Sequence, residues 1–255
     1  MPGTLCILGL GPARPEHMTV EARDVLRQAE AESWHVYGLA HARGMARRVC
    51  PELAVKSLDY LYTLQGVDRP AAYADLAKMM WRKAYEEDRK VLYLVAGSPL
   101  FYNDAVLFIR RLSAQSGQSI RLVHGMSFVD LVLDRVHWTG HDGLQLYSAW
   151  NVAFDGVRLN AQAPTLLCQL GEFTAGGDAL DPDGSRKMLA PLRDALATHF
   201  PPEHPVTIVY SSGAPDYDSL STRIPLSTLA ERTVPVYSNL FVPGLVSPNE
   251  GEEAP

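Results

Sequence analysis

Through the first half of the chain, short apolar runs alternate with stretches of helical periodicity. Thr4-Leu5-Cys6-Ile7-Leu8 is such a run, closed by Gly9-Leu10-Gly11-Pro12, the pattern of a buried strand entering a tight turn. Thr19 is placed to cap the helix that follows, with Val20, Val25 and Leu26 as its apolar positions and Arg23 and Asp24 facing water to about Ala29. Ser33 to Tyr37 reads as a short strand, His41 to Cys50 as a helix, and Val55 to Leu58 as another short strand. Residues 71–86 carry the clearest helical pattern, with Leu76, Met79, Met80 and Ala84 on one stripe. Val91 to Val95 is then a buried strand ending at Ala96-Gly97-Ser98-Pro99, and Ala105 to Ser116 a second strong helix. Ile120 to Val123 is a strand stopped by His124-Gly125-Met126-Ser127, ahead of a short helix from Phe128 to Val136.

Strands alternating with helices predict a mostly parallel sheet covered on both faces. From about Gly143 the pattern changes. Leu144 to Tyr147, Thr165 to Gln169, Val206 to Tyr210 and Val236 to Val242 read as strands, with one good helix, Ser185 to His199, among them. That spacing predicts a mixed sheet. The expected fold class is therefore α/β with two domains: residues 1–140, residues 141–246, and a disordered tail over 247–255.

Composition narrows the possibilities. The 255 residues are 47% hydrophobic, enough for a substantial core. A net charge of −6 with scattered basic residues gives no reason to expect nucleic acid or an anionic membrane. Cys6, Cys50 and Cys168 form no metal-ligand spacing and read as buried thiols in a reducing compartment. No run approaches the roughly 20 apolar residues of a membrane span, so a cytoplasmic location is expected. His124, the His137-Trp138 pair and the His141-Asp142 pair fit no compact ligand set, and no metal is expected.

Two constellations carry candidate chemistry. Gly9-x-Gly11 lacks the third glycine of a dinucleotide fingerprint, and alone it is a turn. Three buried runs end at small or glycine-rich turns, however, and in open α/β sheets the carboxyl ends of parallel strands form the ligand crevice. Glycines there would let a flat adenosine lie against bare backbone. Ser127 is suited either to hydrogen-bonding such a ligand or to capping its own helix. The second constellation is Tyr62, Arg69 and Tyr73. Arg69 and Tyr73 share a helix face at i, i+4, and a cation at a helix N-terminus opposes the macrodipole unless it has a partner. Two phenols beside a guanidinium suit removal of a proton from a weak acid, because the cation stabilises the developing anion. The bland reading has Tyr73 half-buried and Arg69 solvated.

The ordered motifs Gly9-Leu10-Gly11-Pro12, Gly97-Ser98-Pro99, His124-Gly125-Met126-Ser127-Phe128, Leu167-Cys168-Gln169 and Asn239-Leu240-Phe241-Val242-Pro243 together resemble the tetrapyrrole methylase superfamily over about residues 4–244. The resemblance implies a two-domain homodimer that binds S-adenosylmethionine between domains and releases S-adenosylhomocysteine. It implies donor contacts from Gly9, Gly11, Pro12, Ala96, Gly97, Ser98, Leu100, Phe101, Ser127, Phe128 and Gln169. Within the superfamily, Tyr62, Arg69 and Tyr73 look like the catalytic set of the borosin peptide-backbone N-methyltransferases, with either tyrosine as base. Ala96-Gly97-Ser98-Pro99 departs from the Tyr-Gly-His-Pro of those enzymes. Only a short acidic stretch follows the last strand, so a split form acting on a separate precursor peptide is expected. A small-molecule methyltransferase of the same fold and a non-catalytic cofactor-binding module are the alternatives.

Overall fold

The structure is a computed structural model of the chain, and it describes residues 3–12, 14–60, 69–140, 143–171, 182–211, 220–235 and 237–245. These fall into two compact units, with the division between Phe128 and Val129.

The first unit holds five parallel strands: β1 (Thr4–Gly9), β2 (His35–Gly38), β3 (Val55–Ser57), β4 (Lys90–Val95) and β5 (Arg121–Val123), in the order β3-β2-β4-β1-β5. Its helices are α1 (Val20–Ala31), α2 (Ala40–Val49), α3 (Arg69–Trp81) and α4 (Asp104–Ser116). The two-residue period of the central strands divides their side chains between two cores. Cys6 and Leu8 of β1, Val36 of β2, and Leu92 and Leu94 of β4 point to one face, where α1 supplies Ala22, Val25, Leu26 and Ala29 and α2 supplies Ala42, Met45 and Ala46. Leu5, Ile7, Tyr37, Val91, Tyr93 and Val95 point to the other face, against Leu76, Ala77 and Met80 of α3 and Ala105, Val106 and Ile109 of α4. Continuous apolar runs are what a strand covered on both faces requires.

This arrangement sets the crevice. The chain leaves β1 towards α1 on one face and leaves the adjacent β4 towards α4 on the other. Two neighbouring parallel strands whose connections diverge form a topological switch point, and the gap lies at their carboxyl ends.

The second unit holds β6 (Gln145–Ser148), β7 (Thr165–Cys168), β8 (Pro205–Tyr210), β9 (Leu220–Pro225) and β10 (Ser238–Val242), ordered β6-β7-β10-β8-β9. β6 and β7 are parallel; the other pairings are antiparallel. This is the expected mixed sheet. Its core combines Leu167, Val206, Leu240 and Val242 with Ala149 and Val152 of α6 (Ala149–Phe154) and Leu189, Leu192 and Leu196 of α7 (Pro182–Ala197). The remaining helix, α5 (Phe128–Arg135), starts at the division between the units.

Several details differ from the sequence expectation. Val20 is the first helical residue of α1 and lies on its solvent side, 75% exposed, so it supplies none of the expected apolar contact. Arg23 is half-buried, because its guanidinium donates to the Pro15 carbonyl at 2.8 Å. The long helix begins at Arg69 rather than Ala71, and it passes at Trp81 into a π-helical turn over Arg82–Glu86. The stripe holds: Leu76, Met80 and Ala84 are buried, with Met79 at its margin. β9 and α6 have no counterpart in the sequence expectation. All three cysteines are buried free thiols, and burial pushes Cys6 up to about 12.

Candidate active site

Three turns meet at the carboxyl ends of β1, β4 and β5, and they do so through bare backbone. A Cβ on Gly9 would stand 2.6 Å from the Gly125 nitrogen and 2.8 Å from the Gly97 carbonyl oxygen. A Cβ on Gly125 would stand 2.5 Å from the same Gly97 oxygen and 2.7 Å from the Gly9 carbonyl carbon. Only glycine allows this approach at both positions. Gly11 and Gly97 both have positive φ, +79° and +73°, and their main chains bridge: the Gly97 N–H donates to the Gly11 carbonyl at 2.7 Å, and the Gly11 N–H returns a 3.4 Å bond. The bridge is antiparallel, unlike the parallel β1–β4 pairing that precedes it, and it follows the bond from the Leu10 N–H to the Val95 carbonyl.

The third turn is tied to the first by Thr19. Its hydroxyl accepts from the Ala22 N–H at 3.1 Å, capping α1 as expected, and donates to the His124 carbonyl at 3.5 Å. The turn after β4 is closed by the Ser98 hydroxyl, which accepts from the Leu100 N–H at 3.4 Å, and by the Phe101 N–H donating to the Ser98 carbonyl. Leu100 and Phe101 project from it, 50% and 37% exposed. Phe101 meets Phe128 edge to face at 6.3 Å, which joins this turn to the start of α5.

Gly9, Gly11, Pro12, Ala96, Gly97, Ser98, Leu100, Phe101, Ser127 and Phe128 thus all lie on three converging turns of one unit. A Cβ at Gly97 would meet nothing nearer than the Met126 carbonyl oxygen at 4.0 Å, so open space adjoins the positive-φ peptide. Gln169 belongs to the other unit, as the first residue after β7, with φ +63°.

Of the second constellation, Tyr62 lies outside the described residues, and Arg69 is described as the first residue of α3 without its side chain. Tyr73, one turn into the helix, is half-buried against the core that contains Tyr37 and Tyr93. Tyr93 was absent from the expected set. Its phenol is pushed up to about 12, mainly by burial, with the Asn103 side-chain hydrogen bond opposing and Tyr73 adding to the rise. Burial therefore favours the protonated phenol at Tyr93. Asn103 in turn caps α4, accepting from the Val106 N–H at 3.1 Å. The available signal was a single phenol inside the otherwise apolar run Val91 to Val95.

Among the described residues no group of histidine, cysteine and carboxylate side chains could hold a metal ion, and no helix is long and apolar enough to cross a membrane.

A parallel-sheet unit followed by a mixed-sheet unit is the α/β architecture the chain shares with the solved structures it matches. The chain is a member of the family of tetrapyrrole (corrin/porphyrin) methylases, whose sequence model matches residues 4–229. It is 26% identical over 261 residues to a methyltransferase/ribosomally synthesized type II borosin cyclic peptide precursor of Phlebiopsis gigantea, covering 97% of this chain and 44% of that one. It is 32% identical over 121 residues to the cobalamin biosynthesis protein CobIJ of Mycobacterium tuberculosis, covering 44% of this chain and 24% of the relative. The chain therefore spans less than half the length of these curated relatives. Among solved structures, the uroporphyrin-III-C-methyltransferase of Thermus thermophilus matches with a TM-score of 0.64 at 18% identity, over 95% of this chain and 93% of that one. A cobalt precorrin-4 methyltransferase matches with a TM-score of 0.65 at 16% identity, over 94% of both chains. These likenesses establish the two-unit α/β fold.

Proposed function

We propose that this chain is an S-adenosylmethionine-dependent methyltransferase that methylates backbone amide nitrogens of a ribosomally made peptide supplied as a separate chain. The observation that carries the reading is the relationship to the fungal borosin methyltransferase, which covers 97% of this chain. The donor, when bound, supplies a methyl group on a sulfonium, already a good electrophile.

The chain's own residues then have two tasks. The glycine-lined turns at Gly9–Pro12, Ala96–Phe101 and Ser127–Phe128 hold the donor. Tyr62, Arg69 and Tyr73 prepare the acceptor. An amide nitrogen is a poor nucleophile because its lone pair is delocalised into the carbonyl. Arg69 and one tyrosine polarise the carbonyl oxygen and stabilise imidate-like charge, while the other tyrosine, directly or through water, takes the N–H proton. The N–CH3 bond forms as the S–CH3 bond breaks, leaving S-adenosylhomocysteine and a tertiary amide. Tyr73 supports this assignment by its position at the edge of the core, accessible enough to exchange a proton where Tyr93 is not. In this reading the enzyme works as a cytoplasmic homodimer.

A second reading, methylation of a small molecule, is favoured by the 32% identity to the cobalamin biosynthesis protein. Incubation with S-adenosylmethionine and candidate peptides or tetrapyrroles, followed by mass spectrometry, separates the two. Methyl additions on peptide backbone nitrogens are expected, located by fragmentation. Methylation of a tetrapyrrole alone would transfer the assignment to the second reading, and donor binding with no turnover on either class would leave a cofactor-binding module.

A further inference from the structure

On the α3 side of the parallel sheet, two buried polar atoms have no hydrogen-bond partner among the described residues: Nδ1 of His35 and the hydroxyl of Tyr37. The two residues stand at i and i+2 on β2, so they share one face. Tyr37 is 4% exposed. A buried polar atom left unpaired keeps the cost of its lost hydration, and two side by side are more than packing explains.

Three cations surround them. Lys56 stands opposite Tyr37 in the β2–β3 register, with its ammonium 5.6 Å from the centroid of the Tyr37 ring. Lys83 comes from the π-helical turn after α3. Asp88, with φ +49°, reverses the chain and brings Arg89 back, so that the Arg89 N–H donates to the Lys83 carbonyl at 3.1 Å. Lys56, Arg89 and Lys83 all act on His35 electrostatically, against one carboxylate, Glu87. Burial first, and then these cations, push the His35 imidazole below its usual range. Glu87 is itself divided between Arg82 at 3.4 Å and Lys83 at 3.6 Å, and its side chain is 40% exposed. Positive charge from three separate elements thus converges on two unpaired buried atoms, with a single loosely held carboxylate to balance it.

We propose that Lys56, Lys83 and Arg89 form a binding site for a tetrahedral oxyanion, a phosphate or a phosphomonoester, with His35 and Tyr37 as its hydrogen-bonding floor. The Tyr37 O–H and an Nδ1–H of His35 donate to the anion, which takes the place of Glu87 beside Lys83. His35 and Arg89 stand towards the amino ends of β2 and β4, whereas the glycine-lined turns lie at the carboxyl ends of β1, β4 and β5. The site is therefore separate from that crevice, and the inference stands independently of the proposed function.

The test is calorimetric titration of the full chain with sulfate, which stays a dianion across the neutral range, at an ionic strength fixed with chloride. Saturable binding with Kd of about 1 mM or tighter is expected, and none would overturn the proposal. Lys56→Gln and Arg89→Gln, both at exposed positions, should each weaken Kd about tenfold, and Lys78→Gln, a cation of α3 outside the cluster, should leave it unchanged. Equal losses in all three would mean unspecific charge attraction and reject the site. Glu87→Gln should tighten binding about threefold by removing the competing carboxylate, while Asp75→Asn should not; no gain in Glu87→Gln counts against the site. Tyr37→Phe should raise the melting temperature without ligand, because an unpaired buried hydroxyl is gone, yet weaken sulfate about threefold. Unchanged sulfate affinity there would make the hydroxyl a packing feature and overturn its role. A bound dianion favours the protonated imidazole, so affinity should rise about fivefold from pH 8 to pH 6, and His35→Gln should flatten that dependence. If His35→Gln does not fold, the His35 imidazole is titrated by NMR in the wild type, and a pKa that sulfate does not raise rejects its part. Inorganic phosphate and methyl phosphate then separate the two sources of the ligand: the tighter of them identifies a free ion or an ester, and failure of both to compete with sulfate overturns the assignment.

Discussion

At the scale of single residues, two glycines of the crevice have opposite reasons for being glycine. Gly125 is closed in by backbone, with the Gly97 oxygen 2.5 Å from where a Cβ would stand, and neither partner is a flexible side chain. Gly97 is open, and its constraint is the φ of +73°. Gly125→Ala should therefore cost about 1–3 kcal/mol of stability as the turns are forced apart, measured by urea denaturation. Gly97→Ala should cost less, about 1 kcal/mol, while a methyl group projecting into the open space lowers donor affinity in titration. Equal stability losses in the two variants would contradict this division. For the acceptor, Arg69→Ala and Tyr73→Phe are each expected to abolish methyl transfer, about 100-fold or more in kcat, with donor affinity retained. Near-normal turnover in either would remove that residue from the catalytic set. The glycine turns were legible in the sequence because each closes an apolar run. Gln169 and Tyr237 at positive φ were not, since the Asn239 side chain that bonds to both lies 70 residues from Gln169 along the chain.

At the scale of elements, Thr19 links helix formation to the site. Its hydroxyl caps α1 through the Ala22 N–H and also reaches the His124 carbonyl on the third turn. Thr19→Ala should cost about 1 kcal/mol from the lost cap, read as a shift in urea midpoint at unchanged m-value, and Thr19→Ser should retain most of it. The same element was readable from sequence because Thr19 stands directly before the apolar spacing of Ala22, Val25, Leu26 and Ala29. β9 was not readable. Of its described side chains Ser221, Thr222 and Arg223 are exposed and Ile224 is buried, and the strand lies at a sheet edge, paired with β8. α6, six residues long, is too short for a helical period to show, and its aromatic pair Trp150 and Phe154, rings 4.6 Å apart, is partly exposed. The π-helical turn after α3 likewise follows from packing, with Tyr85 bonded to the Ser119 carbonyl.

At the scale of the whole molecule, the buried side chains form separate cores. The two clusters flanking the parallel sheet contain residues up to Val123, and the cluster of the mixed sheet contains residues from Ala149 onward. Among the described residues none belongs to both sets. Leu94→Ala and Leu240→Ala remove fully or nearly fully buried side chains from the first and the second set, 2% and 0% exposed. Each should cost about 2–5 kcal/mol, the usual sum of lost transfer energy and residual cavity. Because the sites share no partner, the double variant should lose the sum of the two within about 0.5 kcal/mol. Hydrogen exchange read by mass spectrometry makes the distinction spatial. Leu240→Ala should accelerate exchange in β7, β8 and β10 while β1 and β4 stay protected, and Leu94→Ala should do the reverse. Loss of protection across both sheets from either single substitution would show that the two units unfold as one cooperative body.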